Sequence, residues 1–282
     1  MRTIYKVTGA ALLAVCSSVA SADGGWALHG FGDVSVKNDY VTPRGLVVTT
    51  AGVTVQVLNG LVAVSPGGVA FHAGTWVDVN PGYSKADGNI TAVNEFDYFF
   101  GVDYDIAPKL NLGVEYSEFI SGQPSVAFKN EHNIEFSLKY KDSADKGFTV
   151  NPYGKLFWAA WGKSSTVVLG KAGHTFDIEL GAVPTVTTGG ITLSAPSWIT
   201  VGPKTYWGKG ALKDGNVGVI STGLKASAPV PLFSSGAKAS IYAFGQYYHL
   251  VNDNLVRAKA ILNSGDHKRN HVVFGAGLSV GF

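Results

Sequence analysis

The feature that most constrains this chain is a strict alternation of apolar and polar residues in three consecutive segments. Between 131 and 141, one set of alternate residues is apolar, namely Ile134, Phe136, Leu138 and Tyr140, and the other set is polar. The segments around 95–104 and 110–117 alternate in the same way. Because successive side chains of a strand point to opposite faces, each segment is predicted to form a β-strand with one wholly apolar face.

Two folds accommodate such strands. In a soluble sandwich the apolar face is the core, whereas in an outer-membrane barrel it faces lipid and the charged face lines the lumen. The strands are about 10 to 15 residues long, against about 5 to 6 in soluble proteins, which favours the barrel. Aromatic residues near strand ends suit interfacial girdles: Tyr98, Tyr104, Tyr116, Tyr140, Trp158, Trp161, Trp198, Trp207 and Tyr247.

The predicted fold class is therefore all-β, a transmembrane antiparallel up-and-down β-barrel of about twelve strands in the bacterial outer membrane. An even strand count places both chain ends on the periplasmic side. The connections around 105–109 and 141–147 suit short periplasmic turns, although the segment 59–68 is long for one. The predicted strands are 27–42, 51–59, 69–79, 92–106, 109–119, 131–142, 147–161, 173–183, 191–203, 216–228, 237–250 and 271–282.

The N-terminus has the pattern of an export signal. Arg2 and Lys6 precede an apolar stretch, and Ala20-Ser21-Ala22 provides a small-residue cleavage site. Residues 1–22 are predicted to be a secretory signal peptide and residues 23–282 the barrel. Without those two basic residues, the 22 Lys and Arg fall to 20, equal to the 20 acidic residues. This balance argues against nucleic acid as a partner, and the only cysteine, Cys16, lies in the signal.

The last predicted strand places its apolar residues on one face, namely Val272, Phe274, Ala276, Leu278, Val280 and Phe282. It resembles the closing signal of outer-membrane proteins, in which a terminal aromatic is read by the barrel-assembly machinery. That resemblance makes Phe282 the expected assembly signal. The expected partners are then the assembly machinery, outer-membrane lipid and a small hydrophilic solute.

Several short segments resemble one family. The segment Asn38-Asp39-Tyr40-Val41-Thr42-Pro43-Arg44-Gly45 is similar to the opening signature of the TorF-like outer-membrane porin family. Phe71–Trp76, Asn94–Tyr98 and Gly101–Tyr104 are similar to its third and fourth strands. The chain departs from the family by placing Val41-Thr42-Pro43 between Tyr40 and Arg44. The resemblance implies a barrel with passive transport and names no solute.

Charged residues are predicted to divide between two walls of the lumen. Acidic residues point inward from strands four to six and eight: Glu95, Asp97, Asp103, Asp105, Glu115, Glu135, Asp177 and Glu179. Lys225 and Lys238 point inward from strands ten and eleven, and Arg257, Lys259, Lys268 and Arg269 lie in the following loop. Such a field would filter polar solutes. The alternative is that these charges pair across a plugged interior.

For other candidate residues, a structural role is weighed against a functional one. Asp39, Tyr40, Arg44 and Gly45 are expected to fasten the first hairpin to the wall rather than to act on a solute. Trp76, with His72 and Asp78, is expected to line the lumen, either as a stacking platform for a solute or as a filler of the barrel interior.

Catalysis and metal binding have little support. The segment Tyr248–Asn254 faintly resembles the His and Asn portion of lipid A deacylases, but Leu250 stands where the serine is expected. The seven histidines lack metal-ligand spacing, so we expect no metal, no cofactor and no enzyme activity.

The leading hypothesis is a porin-like channel for passive diffusion of small hydrophilic solutes. The alternative is a non-conducting barrel whose outer loops, 202–215 and 251–270, bind a partner or a surface polymer. A lipid-modifying outer-membrane enzyme is the remote third possibility.

Overall fold

A computed structural model describes residues 25–80, 92–121, 130–143, 147–162, 173–208, 216–232 and 236–282. The predicted signal peptide lies outside these residues. No helix within these ranges is long and apolar enough to cross a membrane.

The described chain consists mostly of antiparallel strands. The strands are β1 (Ala27–Lys37), β2 (Tyr40–Val41), β3 (Val47–Thr49), β4 (Thr54–Val64), β5 (Ala70–Val79), β6 (Val93–Ala107), β7 (Leu110–Ser121), β8 (Glu131–Tyr140), β9 (Phe148–Thr149), β10 (Pro152–Gly162), β11 (Thr175–Ala182), β12 (Thr185–Thr188), β13 (Ile191–Ser194), β14 (Ser197–Val201), β15 (Val217–Val230), β16 (Lys238–Leu250) and β17 (Asn270–Gly281). The helices are α1 (Lys204–Trp207) and α2 (Asp253–Leu262).

Twelve of these strands, all except β2, β3, β9, β12 and β13, form a closed barrel. The ring closes where β1 pairs with β17, from Phe31↔Gly281 to Lys37↔Gly275. Pro184 and Pro196 interrupt the ladders after β11 and before β14, because proline has no N–H to donate. Beyond these prolines, β12 and β13 form a hairpin that pairs with β9 and β15.

The predicted apolar faces point outward. Phe100, Leu138, Leu180 and Phe274 are exposed on the barrel exterior, whereas the alternate positions of the same strands are polar and mostly buried. An exterior of exposed apolar side chains on a closed sheet is the arrangement that lipid requires. The twelve-stranded transmembrane barrel is therefore confirmed, and the protein is located in the outer membrane.

The predicted bounds of the first two strands were wrong. The first strand ends at Lys37 and not at 42, because the following residues turn into the barrel. The second strand is 54–64, and a tight turn follows in which the Gly68 N–H donates to Ser65 O at 2.9 Å. Its bounds were missed because Leu58 and Val62 are apolar on the inner face too, which obscures the alternation.

Two predicted girdle residues also proved to be internal. Trp198 and Trp207 are buried inside the barrel, where their indole N–H groups donate to backbone carbonyls. A tryptophan near a strand end suits either side of the wall, and the sequence alone does not distinguish the two.

Aromatic rings on the inner wall lie over glycines of the neighbouring strand. At Gly277, an added Cβ would lie 2.5 Å from the Tyr242 ring and 2.6 Å from Val34 O. This glycine lets Tyr242 lie flat against the wall and donate to Asp33 Oδ1 at 2.7 Å.

We expect Gly277→Ala to destabilise the barrel by about 1 to 3 kcal/mol, because the methyl group overlaps both a ring and a backbone oxygen. The measurement is the temperature at which the folded band is lost in heat-modified gel electrophoresis. Gly32→Ala is the control, since its nearest neighbour is Leu58 O at 3.8 Å. Equal melting of the two variants would contradict the prediction.

Candidate functional site: a hairpin across the lumen

The segment between β1 and β4 folds into the barrel. Its strands β2 and β3 pair as a short hairpin, which we call the inner hairpin (Tyr40–Thr49). At its tip the Gly45 N–H donates to Thr42 O at 2.9 Å, and Thr42 Oγ1 accepts from the Leu46 N–H at 3.1 Å. Gly45 has φ +85°, and an added Cβ would lie 2.9 Å from Val219 Cβ, so the tip requires glycine for both reasons.

The inner hairpin crosses the lumen from wall to wall. It follows β1 in the chain, and β10 and β11 lie opposite β1 in the ring of twelve strands. Arg44 at the tip reaches these two strands: its guanidinium carbon lies 3.3 Å from the Phe157 ring centroid, and its Nε donates to Asp177 Oδ1 at 3.0 Å. Its Nη2 is also 4.0 Å from Glu135 Oε2 on β8.

The charged state of the hairpin follows from these neighbours. Burial is the largest single influence and would lower the pKa of Arg44, but the surrounding groups together, Asp177 first among them, raise the pKa above its ordinary value. Burial, followed by the negative charge of Glu95, raises the pKa of Tyr40 well above its ordinary value. Arg44 is therefore a permanent cation inside the barrel, and Tyr40 stays protonated as a hydrogen-bond donor.

Further hydrogen bonds hold the base of the hairpin. The Tyr40 hydroxyl donates to Glu95 on β6. His271 Nε2 lies 3.1 Å from Asp39 Oδ2, which ties the start of the segment to β17. The Trp198 indole N–H donates to Pro43 O at 2.8 Å. The contacts of Asp39, Tyr40 and Arg44 thus fasten the hairpin to the wall.

Apolar side chains fill the space around the hairpin in the half of the barrel that is predicted to be extracellular. They form two buried clusters, which include Tyr40, Val41, Leu46, Val47, Val48, Leu58, Trp76, Phe157, Trp198, Trp207, Leu250, Leu255 and Ala258. Helix α2 covers the hairpin: Asn263, just after the helix, donates to Val47 O at 2.9 Å and accepts from the Thr50 N–H at 2.8 Å. The outer half of the lumen is therefore packed.

The acidic residues predicted to point inward lie on the inner face. Glu95, Asp97, Asp103, Glu115, Glu135, Asp177 and Glu179 are all buried there. Asp105 is exposed, and its Oδ1 lies 2.6 Å from Lys141 Nζ. Basic groups that the sequence reasoning missed lie among them. Lys139 Nζ is 3.0 Å from Asp103 Oδ1, and Lys155 Nζ is 3.4 Å from Glu179 Oε1. Their position on polar faces was the available signal.

The basic residues predicted for the opposite wall are less concentrated. Lys225 Nζ lies 3.7 Å from the Tyr242 ring centroid, near Asp33, and Lys238 is exposed at the end of its strand. Lys259 is buried with its Nζ 2.8 Å from Asp266 Oδ2, and Arg269 pairs with Asp253. Arg257 and Lys268 are exposed. Both signs of charge therefore occur on both walls, with an acidic excess on β6 to β11.

His72, Trp76 and Asp78 lie on the inner face of β5. His72 bridges Asp103 at 3.1 Å and Glu115 at 3.2 Å. Trp76 is buried against Tyr40, with ring centroids 5.8 Å apart. Asp78 accepts from Thr54 at 2.7 Å and Gln56 at 2.8 Å. In this arrangement Trp76 packs against the inner hairpin as an interior filler.

The histidine considered for lipid hydrolysis lies on the barrel exterior. His249 Nδ1 is 2.8 Å from Asn270 Oδ1 on the paired strand β17. Leu250, in the expected serine position, is buried on the inner side and has no hydroxyl to activate. Among the described residues, no group of three or more His, Cys, Asp or Glu is arranged to hold a metal ion.

Comparison with known proteins adds the following. No protein-family model matches the sequence, and no curated protein is a significant match. Solved structures that resemble the chain include the NanC porin, with TM-score 0.48, 9% identity and coverage of 91% of this chain and 99% of that one. An outer-membrane channel from Pseudomonas putida F1 has TM-score 0.47, 10% identity and coverage of 94% and 100%.

The outer membrane phospholipase A from Escherichia coli resembles the chain to a similar degree, with TM-score 0.42, 11% identity and coverage of 89% and 91%. Similarities of this size carry no argument about function. The TorF-like assignment, the assembly role of Phe282 and the expected lack of enzyme activity stay predictions.

Removing the positive charge at the hairpin tip should loosen the hairpin. Arg44→Gln leaves the buried Asp177 and Glu135 without their cation, which costs several kcal/mol. In a Val47→Cys background, where residue 47 is buried, we expect Arg44→Gln to raise the rate of labelling by a water-soluble thiol reagent about tenfold or more. The chain's only native cysteine, Cys16, lies in the predicted signal.

Ala51→Cys is the control, because residue 51 is exposed and should be labelled rapidly in both backgrounds. If Val47→Cys were labelled equally fast with and without Arg44, the arginine would not hold the hairpin.

Proposed function

We propose that this protein is a porin-like outer-membrane channel for passive diffusion of small hydrophilic solutes, and that the inner hairpin closes its outer half. Solute passage then requires the hairpin to leave the opposite wall. The acidic excess on the inner face favours cations and positively charged solutes over anions.

One observation carries the proposal: ionisable side chains continue along the inner face from the hairpin tip toward the periplasmic end. Below Arg44 and Asp177 lie the Lys155–Glu179 pair, the Lys139–Asp103 pair and finally Lys141–Asp105. Burying charge costs free energy even when the charges are paired. An interior that serves only as filling would be more stable with apolar residues, so this polar interior favours a path for solutes.

A second candidate rests on the packed outer half. Tyr40, Leu46, Val47, Trp76 and Leu255 are all at most 2% exposed, which is the density of a protein core rather than the lining of a water-filled pore. If the hairpin never leaves, the barrel does not conduct, and its extracellular segments are left as the functional surface. A lipid-modifying enzyme is the third candidate; it rests on the faint resemblance of Tyr248–Asn254 to lipid A deacylases, in which Leu250 stands where the serine is expected.

Conductance of the purified barrel in planar bilayers separates the first two candidates. We expect brief, infrequent openings for the wild type and longer, more frequent openings for Arg44→Gln, because the variant weakens the contact that closes the lumen. Arg257→Gln, which removes a guanidinium from the exposed side of α2, should behave like the wild type.

Absence of conductance in both the wild type and Arg44→Gln would favour the non-conducting barrel. Equal, steady conductance in both would show that the hairpin does not close the path.

The acidic excess predicts ion selectivity. Glu115→Gln removes a lumen carboxylate and should shift the reversal potential in a salt gradient toward lower cation preference. Glu118→Gln, which removes the same charge from the outward face of the same strand, should leave the reversal potential unchanged. An unchanged value for Glu115→Gln would argue against the acidic wall as the filter.

A further inference from the structure

A row of polar and aromatic side chains crosses four neighbouring strands on the outside of the barrel. The cross-strand pairs Tyr98↔Glu118, Glu118↔His132 and His132↔Trp161 place four residues side by side. Together with Tyr116 and Asn130 we call them the outer patch. They occupy the same face of their strands as exposed apolar residues such as Phe100 and Phe136, so the patch faces lipid.

The outer patch lies at the extracellular rim of the apolar surface. His132 is the second residue of β8, and Trp161 is the penultimate residue of β10. In a barrel with both ends of the chain in the periplasm, this end of these strands meets the head groups of the outer leaflet. The row is therefore at the depth of lipid sugars and phosphates.

The side chains are held in a fixed arrangement. Tyr98 donates a hydrogen bond to Glu118 Oε2, and Asn130 Nδ2 donates to Glu118 Oε1 at 3.0 Å. The Tyr116 hydroxyl lies 2.7 Å from His132 Nδ1, and the His132 ring stacks on Trp161 with centroids 4.6 Å apart. The carboxylate thus has a defined orientation beside an aromatic platform.

An aromatic girdle explains the rings but does not explain the carboxylate. At head-group depth a carboxylate costs little, and His132 Nδ1 lies 3.7 Å from Glu118 Oε2, but a girdle needs only the aromatic rings. Among the residues that the structure describes, each oxygen of Glu118 accepts one hydrogen bond, and a carboxylate oxygen can accept two. The patch therefore retains acceptor positions that point to a ligand with hydroxyl or amino donors.

From this geometry we propose that the outer patch binds the sugar hydroxyls of a glycolipid of the outer leaflet. Glu118 accepts hydrogen bonds from the hydroxyls, and Trp161, which is 49% exposed, supplies an apolar face for the sugar ring. The negative charge of Glu118 disfavours phosphate as the group bound here, so the ligand is recognised by its sugar. This site is separate from the lumen and does not depend on conduction.

The test uses the full barrel, purified from outer membranes in detergent and mixed with rough lipopolysaccharide that retains its core sugars. Bound glycolipid is measured by native mass spectrometry across a concentration series. We expect Glu118→Gln and Trp161→Leu each to weaken binding about tenfold, the effect of losing one charge-assisted hydrogen bond or an aromatic contact.

Trp158→Leu is the matched control, because Trp158 lies on the same strand and face and is 37% exposed but is outside the row. Heat-modified gel mobility verifies that each variant is folded. Undiminished binding by Glu118→Gln and Trp161→Leu would overturn the proposal, and so would equal weakening by Trp158→Leu. If the wild type proved dimeric and Trp161→Leu were monomeric with undiminished glycolipid binding, the patch would belong to a second copy of the chain, and this too would overturn the proposal.

Discussion

The pairing of β1 with β17 is the constraint on which the rest of this structure depends. In a membrane, a strand edge leaves N–H and C=O groups without water, and each unsatisfied group is costly. The seven register pairs from Phe31↔Gly281 to Lys37↔Gly275 remove both edges at once. Closure also separates the side chains into two environments, because every alternate residue then faces either lipid or an enclosed interior.

The enclosed interior explains the arrangement of the inner hairpin. The hairpin carries Tyr40, Leu46 and Val47 together with one arginine. The interior of the ring offers apolar partners to the first three and acidic partners to the arginine. Apolar side chains from β4, β5, β16 and α2 pack around it, while carboxylates on β6, β8 and β11 meet Tyr40 and Arg44. The outer half of the barrel is thus built like the core of a soluble protein, with a few ionic contacts where the hairpin meets the opposite wall.

The lipid-facing surface is not uniformly apolar. Most of it is apolar, as the bilayer demands, but the outer patch places a carboxylate, a histidine and two tyrosine hydroxyls in one row. The two faces of β7 illustrate the contrast. Glu115 points inward to His72, whereas Glu118, three residues later, points outward to Tyr98 and Asn130. One strand thereby contributes a carboxylate to each of two separate sites.

The sequence by itself determined most of the long barrel strands, their lipid faces and their even number, because a period of two and the apolar or polar nature of each residue are local properties. It also identified Glu95, Asp177 and Arg44 as residues of interest. Only the tertiary structure decided that Arg44 meets Asp177, that Trp198 and Trp207 are internal, and that Glu118 and His132 share a row with Trp161. These contacts join strands far apart in the chain, so they depend on closure and register, which alternation within a single strand does not specify.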